Sequence, residues 1–211
     1  LITGTGGQGV ILLGNILRDY GLKTSIIKSV VGTETKGVSQ REGSVIATVR
    51  YLLESQVTTL DRPYQADELI SPLIPINDAH LILGLEPLET LRNIKFISKQ
   101  TIVVVNTHRN YPRTVLLGSE KEKIYPSNVE ILKILNQLAK RTFSTDFNYV
   151  SRSRLGTSLY ANIMVLGAGI KEFKEIFNEE IVKSLLIKSF GENNPNIESF
   201  EIGFGLNENS K

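Results

Sequence analysis

Apolar runs of strand length alternate with helix-periodic segments along the chain, and a glycine-rich turn, Gly4 to Gly9, joins the first of each. Two continuous apolar runs, Ala79 to Leu85 and Thr101 to Asn106, have the character of parallel strands buried on both faces. These observations predict an α/β fold: a Rossmann-like, open, mostly parallel sheet with helices on both faces and a helical C-terminal part. The chain is expected to form a single domain over 1–211, with the Rossmann-like core over about 1–110 and the helical extension over about 127–211.

Leu1 to Gly4 is the end of the first predicted strand. Val10 to Tyr20 follows as a helix with Ile11, Leu12, Ile16 and Leu17 on one side, and Gly21 is expected to stop it. Thr24 to Val31 reads as the second strand and Gly32 to Gly43 as a polar loop. Ser44 to Leu53 is a third strand, since Val45, Ala47, Val49 and Tyr51 alternate onto one face. Between the two buried strands a helix is predicted around Leu88 to Ile97. Beyond them, "TVLLG" and "KIYP" read as short strands or strand-like loops, Asn128 to Arg141 as an amphipathic helix and Leu155 to Phe177 as a long one. Its segment "LYANIMVLGAG" is apolar nearly all round, so it is buried in the domain or covered by a partner. The Asn- and Glu-rich tail from Gly191 covers an edge or frays.

The composition excludes several chemistries. With no cysteine there is no disulfide, no thiolate-held iron–sulfur cluster and no Cys nucleophile, and two separated histidines leave no metal site built from this chain alone. The 24 basic and 22 acidic residues are mixed along the chain, which gives no bias toward nucleic acid or an anionic membrane. The apolar runs Leu69 to Ile76 and Ile163 to Ile170 fall short of the ~20 residues that cross a bilayer. Leu1 is not Met and lies inside a predicted strand, so a short N-terminal piece is expected to be missing, and a cytoplasmic location is the expectation.

Gly4, Gly6 and Gly9 satisfy G-x-G-x-x-G between a strand and a helix, a context in which backbone N–H groups approach a phosphate. The dinucleotide version also needs an acid near the end of the second strand for the ribose hydroxyls. Ser29, Val30 and Val31 stand there, and Glu34 lies beyond. An NAD or FAD site and a glycine turn that only packs helix onto sheet therefore both stay open. Gln8 either points into a site or satisfies the turn's own N–H groups. Glu86 and Asn106 follow buried strands, where open α/β sheets hold ligands, and helix capping or turn formation explains them equally well. Arg50 is an exposed strand charge or a ligand contact, and His80 and His108 read as structural or surface residues.

A longer set of motifs resembles one family. "GTGGQGV" at Gly4 to Val10, "TETKGVSQREGSV" at Thr33 to Val45 with Arg50, "SPLIP" at Ser71 to Pro75, "EPLE" at Glu86 to Glu89 and "VNT" at Val105 to Thr107 keep one order and spacing. They resemble the γ-type subunit or domain of 2-oxoacid:ferredoxin oxidoreductases, which act on pyruvate, ketoisovalerate or indolepyruvate; the nearest form is the small β subunit of the indolepyruvate enzyme. "ANIMVLGA", Ala161 to Ala168, extends the resemblance into the C-terminal half. Two departures stand out: Lys36 where the indolepyruvate type commonly has His, and Glu42 for the first glycine of Arg-Gly-Gly.

The resemblance implies an accessory subunit, inactive alone and with no autonomous catalytic residue. A larger partner would carry thiamine diphosphate, Mg²⁺ and the iron–sulfur clusters, and ferredoxin would be an indirect partner. This chain has no thiamine diphosphate motif and no His-based acid–base constellation, which agrees with that division. Ser39, Gln40 and Arg41 are then the candidates for bordering the active site, Arg41 offering a bidentate fork to phosphate or carboxylate. Gly4, Gly6, Gly7, Gln8 and Gly9 are candidates for a phosphate loop, with coenzyme A the leading ligand because the family's reaction uses it. Glu86 and Asn106 are secondary candidates. A stand-alone NAD(P)- or FAD-dependent oxidoreductase, a purely structural interaction subunit, and a homodimer of the isolated chain remain as alternatives.

Overall fold

The computed structural model describes residues 1–37, 43–54, 71–110 and 125–206. Among them the chain forms β1 (Ile2–Thr5), α1 (Val10–Lys23), β2 (Ile27–Lys36), β3 (Ser44–Leu53), β4 (Leu81–Gly84), α2 (Pro87–Arg92) and β5 (Ile102–Asn106). Then come α3 (Asn128–Leu138), β6 (Arg141–Thr145), α4 (Phe147–Leu155), α5 (Ala161–Glu172), α6 (Glu179–Phe190) and α7 (Pro195–Gly205). The strands build one sheet in the order β2-β3-β1-β4-β5-β6. β1, β4, β5 and β6 are parallel, whereas β3 runs antiparallel to both β1 and β2. The α/β class and the mostly parallel sheet with helices on both faces are as the sequence predicts.

The two faces bury two cores, which is why the central strands read as unbroken apolar runs. Leu81, Leu83, Ile102 and Val104 point toward α1 and α5, while Ile82, Val103 and Val105 pack with Leu88, Ile131 and Leu135 from α2 and α3. Val45, Ala47, Val49 and Tyr51 share the first face, as their alternation requires, and the Tyr51 hydroxyl donates to the Leu17 carbonyl at 2.7 Å. On the other face of β3, Thr48 and Arg50 donate to the carbonyls of Pro72 and Ser71 at 2.8 and 2.7 Å. Arg50 thus holds "SPLIP" against the sheet; Ile74 packs into the second core and Leu73 stands 63% exposed.

Several boundaries differ from the sequence reading. The segment expected as a polar loop, Gly32 to Lys36, continues β2 and pairs with β3 from Gly32↔Val49 to Lys36↔Val45. β2 is an edge strand, so its alternate residues face water and polar side chains cost it nothing. Arg141, expected to end a helix, instead opens the opposite edge strand, β6, in which only Phe143 is buried. Gly21 does not stop α1. It lies where helix and hairpin touch, and a Cβ there would sit 2.9 Å from the Tyr51 ring and 3.0 Å from Val30. The helix expected over Leu88 to Ile97 is α2 followed by a 3₁₀ turn, Ile94–Phe96. "TVLLG" lies outside the described residues, and of "KIYP" only Tyr125 and Pro126 are described, neither in a strand.

The long helix expected over Leu155 to Phe177 is the shorter α5, Ala161–Glu172; Leu155 instead ends α4, which stops at Gly156, where φ is +74°. α5 is buried on all sides, between the sheet, α1, α4 and α7. Its approach to α7 depends on glycine: a Cβ on Gly203 would fall 2.1 Å from the Met164 carbonyl oxygen, and one on Gly167 2.2 Å from that of Phe200. The tail therefore forms a packed helix instead of fraying, capped by the Asn194 side chain on the Asn196 N–H.

Gly203→Ala should lower stability by about 1–3 kcal/mol through overpacking. Gly205→Ala, two residues on with no atom within 4 Å of the added Cβ, should be neutral or slightly stabilising. Urea unfolding of both variants against the parent checks the pair; equal effects would contradict the packing assignment.

Candidate functional site

The carboxyl ends of β1, β4 and β5 meet at one edge of the sheet, the place where open α/β folds hold ligands. β1 delivers the glycine turn to this edge. Gly7 and Gly9 have φ of +94° and +86°, a region that costs an L-residue about 1–2 kcal/mol. Gly9 is the N-cap of α1, and among the described residues no side chain caps the helix at its first-turn N–H groups. A Cβ on Gly9 would lie 2.1 Å from Asn162 Nδ2, which places the first polar residue of α5 directly against the turn. A Cβ on Gly7 would meet nothing within 4 Å among the described residues.

The hairpin turn reaches the same place. Gly6 N–H donates to the Gly43 carbonyl at 2.9 Å, and Gly37 N–H donates to the Ser44 carbonyl at 2.8 Å, so both ends of the β2–β3 connection lie beside the glycine turn. Ser39, Gln40 and Arg41, together with Glu42, fall in that connection and outside the described residues. Lys36 closes β2.

Gln8 serves the turn itself. Its Oε1 accepts from Thr5 N–H at 2.8 Å and its Nε2 donates to the Leu85 carbonyl at 3.4 Å, tying the glycine turn to β1 and to the residue after β4. Gly4 lies within β1, and a Cβ there would press 2.8 Å from Gln8 Oε1. Asn106 is buried: its Nδ2 donates to the Asn148 Oδ1 at 2.7 Å and its Oδ1 accepts from Phe147 N–H at 3.0 Å, so it joins β5 to α4. His108 faces Asp146 at 3.6 Å.

Glu86 is 1% exposed and caps α2 by accepting from Glu89 N–H at 2.8 Å. Its other oxygen accepts from the Tyr125 hydroxyl and, at a long 3.5 Å, from Asn110 N–H. Asn110 in turn donates to Thr5 Oγ1 at 3.3 Å. Burial raises the Glu86 pKa above the ordinary carboxylate value against the pull of these hydrogen bonds, and the neighbouring Glu89 adds to the rise. The Tyr125 hydroxyl is pushed up by burial and by the Glu86 charge. Asn110, Tyr125 and Asn162 were not singled out by the sequence; only Asn162, a polar residue opening an otherwise apolar helix, carries a local signal. Among the described residues no group of three or more metal-ligating side chains gathers, and no helix is long and apolar enough to cross a membrane.

Because the folded protein holds the Glu86 proton at pH values where the unfolded chain has lost it, stability should fall as pH rises from the ordinary carboxylate value through the raised one. Glu86→Gln should lack that decline, so the stability gap between parent and variant should shift in the variant's favour from about pH 4 to about pH 8. Urea midpoints across this range check it, and parallel curves would contradict it.

Comparison with known proteins gives these features a family. A model described as pyruvate ferredoxin/flavodoxin oxidoreductase matches residues 1–206. The indolepyruvate oxidoreductase subunit IorB of Pyrococcus horikoshii is 33% identical over 172 residues, 80% of this chain and 74% of that protein. The subunit of the same name from Archaeoglobus fulgidus is 30% identical over 79% of this chain and 73% of its own length. The keto/oxoacid ferredoxin oxidoreductase gamma subunit of Geobacter sulfurreducens superposes with a TM-score of 0.59 at 17% identity, covering 96% of this chain and 94% of that one. The pyruvate oxidoreductase subunit PORC of Thermotoga maritima superposes with a TM-score of 0.62 at 13% identity, covering 97% and 90%. The match over nearly the whole length, with the glycine turn and both ends of the hairpin connection at one edge, shows that the chain belongs to the pyruvate ferredoxin/flavodoxin oxidoreductase family, related in sequence to the IorB subunits and sharing its fold with the oxoacid ferredoxin oxidoreductase gamma subunit.

Proposed function

We propose that this chain is the accessory subunit of a thiamine diphosphate-dependent 2-oxoacid:ferredoxin oxidoreductase that oxidatively decarboxylates an aryl 2-oxoacid such as indolepyruvate to its acyl-coenzyme A. The larger partner would hold thiamine diphosphate, Mg²⁺ and the iron–sulfur clusters, with ferredoxin as the electron acceptor and the cytoplasm as the location. The bond from Gly6 N–H to the Gly43 carbonyl carries the reading, because it ties the glycine turn to the C-terminal end of the β2–β3 connection, the stretch whose sequence includes Ser39, Gln40 and Arg41. The relatives named for indolepyruvate support the aryl substrate over pyruvate or ketoisovalerate.

Coenzyme A fits what this edge offers. It bears phosphates, and the start of α1 beside two glycines of positive φ presents backbone N–H groups of the kind that cradle them. In the assembled enzyme coenzyme A supplies the thiol that accepts the acyl group. This chain's part is to orient it: the turn's N–H groups would hold a phosphate and Arg41 a second anionic group. A dinucleotide fits poorly, since β3 lies between β1 and β2 and Glu34 is engaged by Arg18 at 2.6 Å. An acid at the end of β2 is thus one strand too far from the turn, and it is already paired.

Large apolar side chains stand in water at this same edge. Val129 opens α3, Tyr149 lies in the first turn of α4 and Leu159 precedes the Asn162 contact, with exposures of 77%, 68% and 78%. They are suited to a partner surface, where aromatic and aliphatic anchors contribute most.

Arg41→Ala and Gln40→Ala should each lower coenzyme A-dependent dye reduction with indolepyruvate at least tenfold while the partner still co-purifies. Unchanged activity in an intact complex would favour the purely structural subunit. Activity of the chain alone with NAD(P)H or FAD would favour the stand-alone oxidoreductase, and elution as a dimer without partner would favour self-association.

A further inference from the structure

The polar groups around Glu86 do more than cap a short helix. A six-residue helix following a buried strand needs one acceptor at its N-cap, and Glu86 Oε2 supplies it. The second oxygen turns the other way, to the Tyr125 hydroxyl and Asn110 N–H, which come from 39 and 24 residues further along the chain. Asn110 does not end there: its side-chain amide donates to the hydroxyl of Thr5, whose backbone N–H and carbonyl are both bonded by Gln8, at 2.8 and 3.1 Å. Tyr125 is itself pinned, buried at 3% exposure with the Arg109 guanidinium over its ring at 5.2 Å. A buried carboxyl oxygen without a partner costs heavily, so this arrangement is fixed and not one of many.

We propose that Glu86 is a positioning residue for the glycine turn, acting through Asn110 and Thr5 to hold the backbone N–H groups of Gly6 to Gly9 in their ligand-ready orientation. The inference rests on the reading of that turn as a coenzyme A contact. Glu86 touches no ligand in this account; it acts through the residues it binds. Loss of a link should loosen the turn and weaken ligand binding without touching the chemistry carried by the partner subunit.

The test compares Tyr125→Phe, which removes one hydroxyl and keeps the ring, with Asn110→Ala, which cuts the link to Thr5 at a half-buried position and poses little risk to folding. Both are measured in the complex purified with its partner subunit, using coenzyme A as the probe. Each variant should raise the apparent KM for coenzyme A by about three- to ten-fold, more than it lowers kcat at saturating coenzyme A. Each should also speed amide hydrogen exchange over Gly6 to Gly9 while α6, remote from the link, exchanges as in the parent. Parent-like KM and parent-like exchange in both variants would overturn the inference. If the parent complex shows no coenzyme A dependence, the ligand reading fails and the exchange result alone decides whether Glu86 positions the turn.

Discussion

β1 and β3 run antiparallel, paired from Ile2↔Ala47 to Thr5↔Ser44, and the site depends on that pairing. In a doubly wound dinucleotide fold the strand after the first helix lies beside β1 and brings its acid to the ribose. Here the hairpin folds back so that its second strand takes that place and its first is displaced to the sheet edge. Two results follow from the one register. The connection between β2 and β3 begins and ends beside the glycine turn, locked by the Gly6–Gly43 bond, and the acid on β2 is kept for Arg18. The same glycine pattern that serves NAD elsewhere is thereby given a different neighbour.

Around the turn, most buried polar groups satisfy one another, Glu89 Oε2 being the exception. Asn106 spends its amide on Leu85, Phe147 and Asn148, Gln8 spends its own on Thr5 and Leu85, and Glu86 joins α2 to Tyr125 and Asn110. Each link spans separate elements, so the edge is held by cross-connections and not by any one loop. Such networks fix one geometry because a half-made set would leave buried groups unpaired. Below them, Asn162 against Gly9 and the glycine contacts of α5 with α7 set how closely the C-terminal helices approach the turn.

The centre of the fold was legible in the sequence because burial on both faces leaves a continuous apolar record, as in "LILG" and "IVVVN". The strand residues that the sequence did not reveal, Gly32 to Lys36 in β2, read as a loop, and Thr142 to Thr145 in β6, given no element, lie on the sheet's two edges, where Thr, Ser and Glu are tolerated. Gly21 looked like a helix stop because its reason, the ring of Tyr51, lies 30 residues away in sequence and is invisible to a local reading. The site was legible in part for the same reason. The glycine turn and "VSQREG" are contiguous motifs, whereas Asn110 and Tyr125 acquire their roles only when the fold brings them to Glu86. Gln8, Glu86 and Asn106 stand at the expected edge, and their hydrogen bonds give each a structural task there.

The most direct test of the account is the affinity of the assembled complex for coenzyme A before and after Gly7→Ala. Gly7 adopts a φ of +94° and a Cβ there meets no atom of the described residues within 4 Å, so the cost to the fold is limited to backbone strain of about 1–2 kcal/mol. If the turn cradles the coenzyme, affinity should fall at least tenfold in a complex that still assembles. Unchanged affinity in an intact complex would contradict the claim that this turn is where the ligand is held.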